Sequence, residues 1–253
     1  MIGVPVFIAE LSVPRCFSPR PKDLPTRAEA PWYPRRRLAG ARRYQMNKTS
    51  SAADYRYPPG HEPHTDRLLK LHILRYARAS GAKSVLDLGC GTGTMLRELS
   101  SLCPRVVGLD PSESGIVAAR ENCPPGIFYP LGIYDDPEKI AEAEFDLAIS
   151  TEVVEHVFYP RELPRFARAK LRKGGLFLVS TPYHGWLKNV AIAVGNKWDS
   201  HHTLFWDGGH IKFWSRATLT RLLEEEGFEV IGFHGCGRVP YLWESMIVVG
   251  RKK

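Results

Sequence analysis

The sequence has no long hydrophobic run and few cysteines. No apolar stretch in its 253 residues approaches the roughly 18 residues that a membrane-spanning helix requires. The five cysteines form no C-x-x-C pair, which argues against a disulfide framework and against a zinc knuckle. We therefore expect a cytoplasmic protein, in a compartment that keeps its thiols reduced, without a transmembrane helix.

The sequence also has little excess charge outside its first 45 residues. The formal net charge is +8, and residues 1–45 contribute +6 of it through nine Arg or Lys and three acidic residues. The same segment holds seven prolines, so it can scarcely bury a core and is predicted to be disordered. It is an organelle-targeting segment, a nucleic-acid-binding tail, or an upstream stretch that is not translated, with Met46 as the start. The remaining body carries only +2, which disfavours a nucleic-acid partner.

A glycine-rich turn lies near the middle of the chain, and it lacks the lysine of a phosphate-binding P-loop. The turn follows the apolar run 84–88, which contains Asp87, and places Gly89, Gly91 and Gly93 at every second position. Glycines permit a tight turn and let backbone amides approach a ligand. The run therefore predicts a short buried strand, a ligand cradle, and a helix that begins near Thr92.

A second apolar strand, 106–109, ends in Asp110 roughly 20 residues after the turn, where an acid can accept hydrogen bonds from ribose hydroxyls. The turn and this acid together resemble the class I methyltransferases that use S-adenosylmethionine, whose first motif is close to V-L-D-x-G-C-G-T-G. The resemblance implies S-adenosylmethionine as the cofactor. It also implies the residues that hold the cofactor: Asp87, Gly89, Cys90, Gly91, Gly93, Asp110 and Thr151.

Strand and helix signals alternate through the rest of the chain. Helices are predicted over 64–80, from a cap at Ser112 to 123, over 161–171, and after a cap at Ser215. Further strands are predicted at 127–131, 145–150, 176–181, 228–233 and 245–249. The alternation implies right-handed crossovers and a parallel central sheet, and the last two strands form the closing hairpin that is typical of class I. We expect an α/β, Rossmann-like, seven-stranded mixed sheet with helices on both faces and an antiparallel closing hairpin.

The segment after the fourth predicted strand carries acidic and imidazole side chains in a regular pattern. Glu152, Glu155 and His156 stand at i, i+3 and i+4, so a helix would project all three from one face, as around one cation. Parallel strands present their carboxyl ends at the same edge of a sheet, so this segment is expected to face the glycine turn. Glu152, Glu155 and His156 are therefore predicted to be the catalytic residues.

In the small-RNA 2′-O-methyltransferases and some quinone O-methyltransferases, a similar E-x-x-E-H run and a distant histidine bind a divalent cation. That resemblance implies His210 as the fourth ligand beside Glu152, Glu155 and His156. Carboxylates and imidazoles would suit Mg²⁺ or Mn²⁺, with waters completing the shell. Two other interpretations stay open: His156 acts as a general base without a metal, or the segment is purely structural.

Within class I, the chain resembles the ubiquinone-biosynthesis O-methyltransferases over about residues 64–250. The resemblance rests on 152–156, on 171–182, and on His210 shortly before Lys212 and Phe213. It implies an enzyme that methylates a hydroxyl of a small catechol-like or quinone-precursor acceptor. An RNA 2′-O-methyltransferase or a protein methyltransferase that uses the same site is the alternative, and a non-catalytic cofactor-binding subunit is a third. The chain departs from the group in two places: the segment 183–209 has its own sequence, and the group's amino-terminal substrate segment is not recognisable.

The predicted methyltransferase domain covers 64–253. One segment before it and one segment within it lack the regular alternation of strands and helices. Residues 46–63 are polar and rich in proline, and they are expected to form a lid or a linker. Residues 183–209 form an insertion that is expected to cover the acceptor. Within 184–206, the tryptophans and an apolar run favour either peripheral membrane contact or a lid over a soluble acceptor. The residues assigned to the interfacial patch are Trp186, Trp198, Trp206, Lys188 and Lys197.

Overall fold

A computed structural model describes residues 64–202 and 208–253 of the chain. The predicted tail 1–45 and the predicted lid or linker 46–63 lie outside these residues, and so does Trp206 of the predicted interfacial patch. The described helices are all too short or too polar to cross a bilayer.

The predicted strands and helices occur in the predicted order, with two further helices between the fifth strand and the last helix. The elements are α1 (His64–Ser80), β1 (Ser84–Leu88), α2 (Thr94–Ser100), β2 (Arg105–Leu109), α3 (Glu113–Asn122), β3 (Ile127–Tyr129), a short 3-10 helix (Pro137–Lys139), β4 (Phe145–Ser150), α4 (Glu162–Lys170), β5 (Leu171–Pro182), α5 (Trp186–Val194), α6 (Trp198–His202), α7 (Arg216–Glu225), β6 (Phe228–Cys236) and β7 (Ser245–Lys252).

The strands form one seven-stranded sheet in the order β3-β2-β1-β4-β5-β7-β6. Strands β1 to β5 pair in parallel, whereas β7 runs antiparallel to both β5 and β6. The chain leaves β1 towards one edge and returns to place β4 on the other side of β1. This reversal opens a crevice at the carboxyl ends of β1 and β4, where open α/β sheets bind their ligands. The predicted fold is confirmed.

Two hydrophobic clusters lie on opposite faces of the sheet. Leu69 of α1, Leu96 of α2 and Ile116 of α3 belong to one cluster. Phe166 of α4 and Leu223 of α7 belong to the other. Burial on both faces explains why the central strands read as continuous apolar runs instead of alternating ones.

Several boundaries differ from the predicted ones for identifiable reasons. Helix α2 starts at Thr94, because Gly93 before it has a left-handed backbone with φ of 73°. Strand β5 extends over 12 residues, since its first part also pairs with β4. Ser112 caps α3 as predicted, and Ser215 forms a capping box with Thr218 at the start of α7. The insertion contains two helices, α5 and α6, that the sequence did not predict.

Candidate active site

The glycine turn between β1 and α2 adopts a backbone that favours glycine at all three positions. The φ angles are 86° at Gly89, 51° at Gly91 and 73° at Gly93. A Cβ on Gly89 would lie 2.5 Å from a methyl carbon of Val153, and a Cβ on Gly93 would lie 3.0 Å from the Ala119 backbone. The predicted tight turn is confirmed, and Val153 brings the segment after β4 directly against it.

Asp110 at the end of β2 is tied to the glycine turn by backbone hydrogen bonds. Its two carboxylate oxygens accept from the Gly91 amide at 2.9 Å and from the Ser112 amide at 2.8 Å. The Ser112 hydroxyl also caps α3 by accepting from the Gly115 amide at 3.1 Å. These bonds hold the Asp110 carboxylate at the mouth of the turn, where the sequence places the ribose.

Asp87 is almost fully buried beneath the same turn. Its Oδ1 atom has no hydrogen-bond partner within the residues that the structure describes. Burial, and then the charges of Asp66 and Asp110, raise the pKa of Asp87 well above its usual range. A cationic ligand would offset this crowding of carboxylates, and S-adenosylmethionine carries both an ammonium and a sulfonium. The residues present therefore fit the predicted cofactor.

Cys90 and Thr151 occupy different positions beside this turn. The Cys90 amide donates to the Leu109 carbonyl oxygen at 2.9 Å and its carbonyl accepts from the Gly93 amide at 2.9 Å. The Cys90 thiol is buried in the core, where burial raises its pKa. Cys90 thus shapes the turn. Thr151 is half-buried and directly follows β4, and its contact with the cofactor stays a prediction.

The segment after β4 is not the helix on which the i, i+3, i+4 argument depends. Residues 151–160 form a series of turns, and Glu152 has a positive φ of 55°. The Glu152 amide donates to the Ser180 hydroxyl oxygen at 3.1 Å, which pulls the chain towards β5 and prevents the helical geometry. Glu152 therefore does not share a helical face with Glu155 and His156.

The Glu152 carboxylate is held by two serines that the sequence did not single out. Its Oε1 accepts from the Ser180 hydroxyl at 2.8 Å and from the Ser245 hydroxyl at 2.7 Å. Burial raises the pKa of Glu152, and these two hydrogen bonds oppose that rise. The residue joins β5 to the start of β7, and it is not one of the three groups that converge into a metal-binding geometry.

Three of the four predicted metal ligands do converge. The ligand atoms of Glu155, His156 and His210 all lie within 4.8 Å of one another. The Glu155 Oε1 atom is 3.9 Å from His156 Nε2 and 4.0 Å from His210 Nε2. The amides of Ile211 and Lys212 both donate to the Glu155 carbonyl oxygen, at 3.0 and 3.1 Å, and so hold the His210 segment in place.

The buried carboxylate of Glu155 is only half satisfied by hydrogen bonds. Its Oε2 accepts from the Thr181 hydroxyl at 3.0 Å, whereas Oε1 has no hydrogen-bond partner in the described part of the chain. Burial, and then the charge of Glu152, raise the pKa of Glu155 well above its usual range. A buried carboxylate oxygen of this kind calls for a cation or a proton.

The two histidines are oriented for such a role. His156 Nδ1 lies 2.8 Å from the Gly208 carbonyl oxygen, so the neutral ring donates through Nδ1 and carries its lone pair on Nε2. Burial lowers the pKa of His156, and burial with the neighbouring His156 lowers that of His210 to about 4. Ligands of one Mg²⁺ or Mn²⁺ lie about 3 to 4 Å apart, and the distances from Glu155 Oε1 to the two imidazole nitrogens are at the upper end of that range.

A cavity of about 180 Å³ lies next to the Glu155–His156–His210 cluster, with His210 belonging to both. Helices α5 and α6 of the insertion line it, and the covering of the acceptor by the insertion stays a prediction. The described residues that line it are mostly basic or imidazole: His64, Pro182, His184, Lys188, His201, His202, His210, Arg238 and Glu244.

Helix α5 contradicts one part of the predicted interfacial patch. Trp186 is 76% exposed and Trp198 is 52% exposed, as the membrane interpretation expects, and Lys197 is exposed as well. Lys188, in contrast, is 95% buried and turns inward to the cavity. Periodicity could not reveal this, because a helix with one lysine among apolar residues normally buries the apolar side.

The chain matches known proteins over most of its described part. A family profile described as a methyltransferase domain matches residues 61–232. The ubiquinone biosynthesis O-methyltransferase of Bradyrhizobium diazoefficiens is 35% identical over 122 residues, which cover 48% of this chain and 48% of that protein. The chain thus spans about half the length of that relative. An uncharacterized methyltransferase of Schizosaccharomyces pombe is 32% identical over 190 residues, which cover 71% of this chain and 70% of that protein.

Solved structures share the fold at low sequence identity. The N-methyltransferase NodS of Bradyrhizobium japonicum, in complex with S-adenosyl-L-homocysteine, matches with a TM-score of 0.56 at 17% identity. The match covers 76% of this chain and 89% of that one.

Proposed function

We propose, on the premise that this chain belongs to the class I S-adenosylmethionine-dependent methyltransferases, that it methylates a hydroxyl of a small catechol-like or quinone-precursor acceptor. The family makes it an enzyme and makes S-adenosylmethionine its cofactor. One observation carries the choice of acceptor: the Glu155–His156–His210 cluster opens on a cavity of about 180 Å³. That volume suits a single aromatic ring, since a cavity of about 150 Å³ holds benzene.

The residues of the cluster have a direct task in such a reaction. S-adenosylmethionine, when bound, supplies an electrophilic methyl group on a sulfonium that leaves readily. The acceptor oxygen must be aligned with that methyl group and must lose its proton. Without a bound cation, His156 can accept that proton through Nε2, whose lone pair faces Glu155, because burial keeps the imidazole neutral. Glu155, fixed by Thr181, completes the polar end of the site.

A divalent cation is part of the proposal. Glu155, His156 and His210 would hold Mg²⁺ or Mn²⁺, and the cation would lower the pKa of an acceptor hydroxyl. The support is the unsatisfied Glu155 Oε1 atom and its distances of 3.9 and 4.0 Å to the two imidazole nitrogens. Glu152 would support this site from beside it, since Ser180 and Ser245 bind its carboxylate.

Labelled S-adenosylmethionine tests the acceptor class and the cation together. The full chain is incubated with catechols, demethylated quinols and small RNAs, with EDTA and after Mg²⁺ or Mn²⁺ is restored. We expect label only in the small phenolic acceptors, with activity lost in EDTA and in Glu155→Gln. The exposed Glu121 provides a matched control, and Glu121→Gln should keep full activity. Preferential labelling of RNA would overturn the acceptor class. Full activity in EDTA would remove the cation and leave His156 as the base.

We also propose that helix α5 contacts a membrane surface. Its outer side presents Trp186, Val190 and Val194, which are 76%, 48% and 83% exposed, and Trp198 follows on α6. Soluble proteins seldom expose so many large apolar side chains together, and tryptophan favours the membrane interface. An acceptor with a lipid tail would give an enzyme reason to bind there.

Liposome flotation tests the membrane contact. We expect the full chain to float with anionic liposomes, and the double variant Trp186→Ser, Val190→Ser to stay in the soluble fraction. Leu71 on α1 is 75% exposed and is remote in sequence, so Leu71→Ser serves as the matched control and should float like the wild type. If the wild type does not float, α5 is a lid over a soluble acceptor.

A further inference from the structure

Helix α5 reverses the usual arrangement of a surface helix, in which apolar side chains are buried and charged side chains are exposed. It buries Lys188 while Trp186, Val190 and Val194 on the same nine residues are exposed. Burying an ammonium group is costly unless an opposite charge or strong hydrogen bonds compensate for its lost hydration. The burial of Lys188 therefore calls for a compensating group, either a neighbouring residue or a ligand.

The described residues around Lys188 supply no directly paired counter-ion, although the more distant charges of Glu244 and Glu152 favour its protonated form. No carboxylate among them lies within 4 Å of Nζ, and the hydrogen bond of Nζ, to the Glu244 carbonyl oxygen, is long at 3.4 Å. Glu244 is the one acid among the described residues that line the cavity. Its carboxylate is engaged elsewhere, with Oε1 at 2.9 Å from Arg238 Nε and Oε2 at 3.8 Å from His64 Nε2.

The imidazoles beside Lys188 add hydrogen-bond donors without adding negative charge. His184 and His202 are both more than nine-tenths buried, and their rings stack at 5.6 Å. The Nε2 atom of His202 is buried and lacks a hydrogen-bond partner in the parts of the chain that the structure covers. Burial and the charge of Lys188 lower the pKa of His184 and of His201 to about 4, so both rings are neutral at pH 7.

We infer that this cavity is an oxyanion-binding subsite, in which Lys188 and the neighbouring imidazoles bind an anionic substituent of the methyl acceptor. The inference rests on the proposed function and makes it more specific. The acceptor is an aromatic ring that bears a carboxylate-sized anion at one position and the reacting hydroxyl at another. The anion lies on Lys188, and the hydroxyl faces Glu155, His156 and His210. The cavity volume of about 180 Å³ leaves room for one such ring.

A paired set of acceptors tests the subsite. A dihydroxybenzoate is compared with its methyl ester, which keeps the ring and both hydroxyls and loses the charge. We expect kcat/KM of the wild type to favour the acid by roughly 10- to 100-fold, as a hydrogen-bonded charge pair supplies. Lys188→Met should lower kcat/KM for the acid by that factor and change the ester by less than about threefold. The control Lys173→Met removes an exposed lysine and should leave both values unchanged.

The selectivity pattern separates recognition from damage to the fold, because misfolding lowers both rates together. Equal rates on acid and ester in the wild type, or an equal loss of both in Lys188→Met, would overturn the subsite. Calorimetry with inorganic phosphate tests whether the subsite binds a free anion instead of an anionic group on the acceptor. Phosphate binding that requires Lys188, with no preference for the acid, would assign the subsite to a free anion and overturn its role in acceptor recognition.

The subsite and the proposed function can fail separately. If the dihydroxybenzoate binds in a Lys188-dependent way by calorimetry and no phenol is methylated, the subsite stands and the proposed function falls. If catechols are methylated without regard to charge, the function stands and the subsite falls.

Discussion

The predicted cofactor site and the proposed acceptor site, called here the cofactor wall and the acceptor wall, are built from different groups. The cofactor wall consists of backbone: Gly89, Gly91 and Gly93 set its shape, and main-chain amides hold Asp110. The acceptor wall consists of side chains that come from distant parts of the chain, such as Glu155 and Lys188. The first wall is a local feature of 20 or so residues, whereas the second exists only once β4, the insertion and β7 have come together.

The walls also differ in how far their polar groups are satisfied. On the acceptor side, Glu155 Oε1, His202 Nε2 and the Lys188 ammonium are buried with poor or no hydrogen bonding among the described residues. On the cofactor side the corresponding atom is Asp87 Oδ1. A buried polar atom without a hydrogen bond destabilises a folded protein. The places where such atoms cluster therefore indicate where a ligand would supply the missing bonds.

The largest expected effect lies on the cofactor wall. Gly91→Val places a β-branched residue at a φ of 51° and adds bulk where the cofactor is expected, so S-adenosylmethionine affinity should fall by at least about 100-fold. Calorimetry measures this. Gly81 has a similar φ of 63°, and its Cβ would meet nothing within 4 Å. Gly81→Val should therefore lose stability and keep its cofactor affinity, and an equal loss of affinity in both variants would blur the contrast between the walls.

The next largest effect concerns Lys188 on the acceptor wall. Here a substitution should raise the stability of the protein. Burial, and then the charge of Arg238, lower the pKa of Lys188 from 10.5 to about 8. The unfolded chain thus holds this proton more tightly, so the free energy of unfolding of the wild type should rise between about pH 8 and pH 10.5. Lys188→Met should be more stable than the wild type by about 3 kcal/mol at pH 7, and the gap should close by about pH 10.5.

Urea unfolding of both proteins at pH 7 and pH 10 measures this gap. Subtracting the variant's curve removes the titration of other groups, among them Cys236, whose pKa burial raises to about 11. A gap that stays constant with pH would show that Lys188 is not a poorly compensated buried charge, and the contrast between the walls would weaken.

The smallest expected effect comes from two serines that cap helices, of which only one lies beside the cofactor wall. The Ser112 hydroxyl accepts from the Gly115 amide, and the Ser215 hydroxyl accepts from the Thr218 amide. Each change to alanine should lower the free energy of unfolding by about 1 kcal/mol. Only Ser112→Ala should also weaken S-adenosylmethionine binding, by about two- to threefold, because loss of the cap loosens the backbone whose amide at position 112 holds Asp110. Equal cofactor affinity in the two variants would show that the cap does not support the ribose site.

The cofactor wall could be predicted from the sequence because its information is local. A strand, a glycine turn and an acid roughly 20 residues later are visible without knowing the rest of the fold. The meeting of the segment after β4 with the turn could also be predicted, because parallel strands present their carboxyl ends at the same edge of a sheet. His210 could be placed near His156 through the family resemblance, and the structure brings their rings to 4.9 Å.

The acceptor wall could be predicted only in part, because tertiary contacts override its local patterns. Glu152 seemed to belong on a helix with Glu155, yet its amide bonds to Ser180 on a strand that lies 28 residues further along the chain. Lys188 was assigned to an exposed interfacial patch, yet it is buried on α5. A helix signal from periodicity assumes that the interior is apolar, and beside a polar cavity that assumption fails.

A single nine-residue helix, α5, forms both the inner wall of the cavity and the apolar outer face of the insertion. A ligand that changes the position or the mobility of this helix from one side must alter its binding on the other side. Thermodynamic linkage makes the effect reciprocal: if a bilayer raises acceptor affinity by some factor, the acceptor raises bilayer affinity by the same factor. The time that this enzyme spends on a surface would then depend on whether its cavity is full, and release of the methylated product would also loosen its attachment.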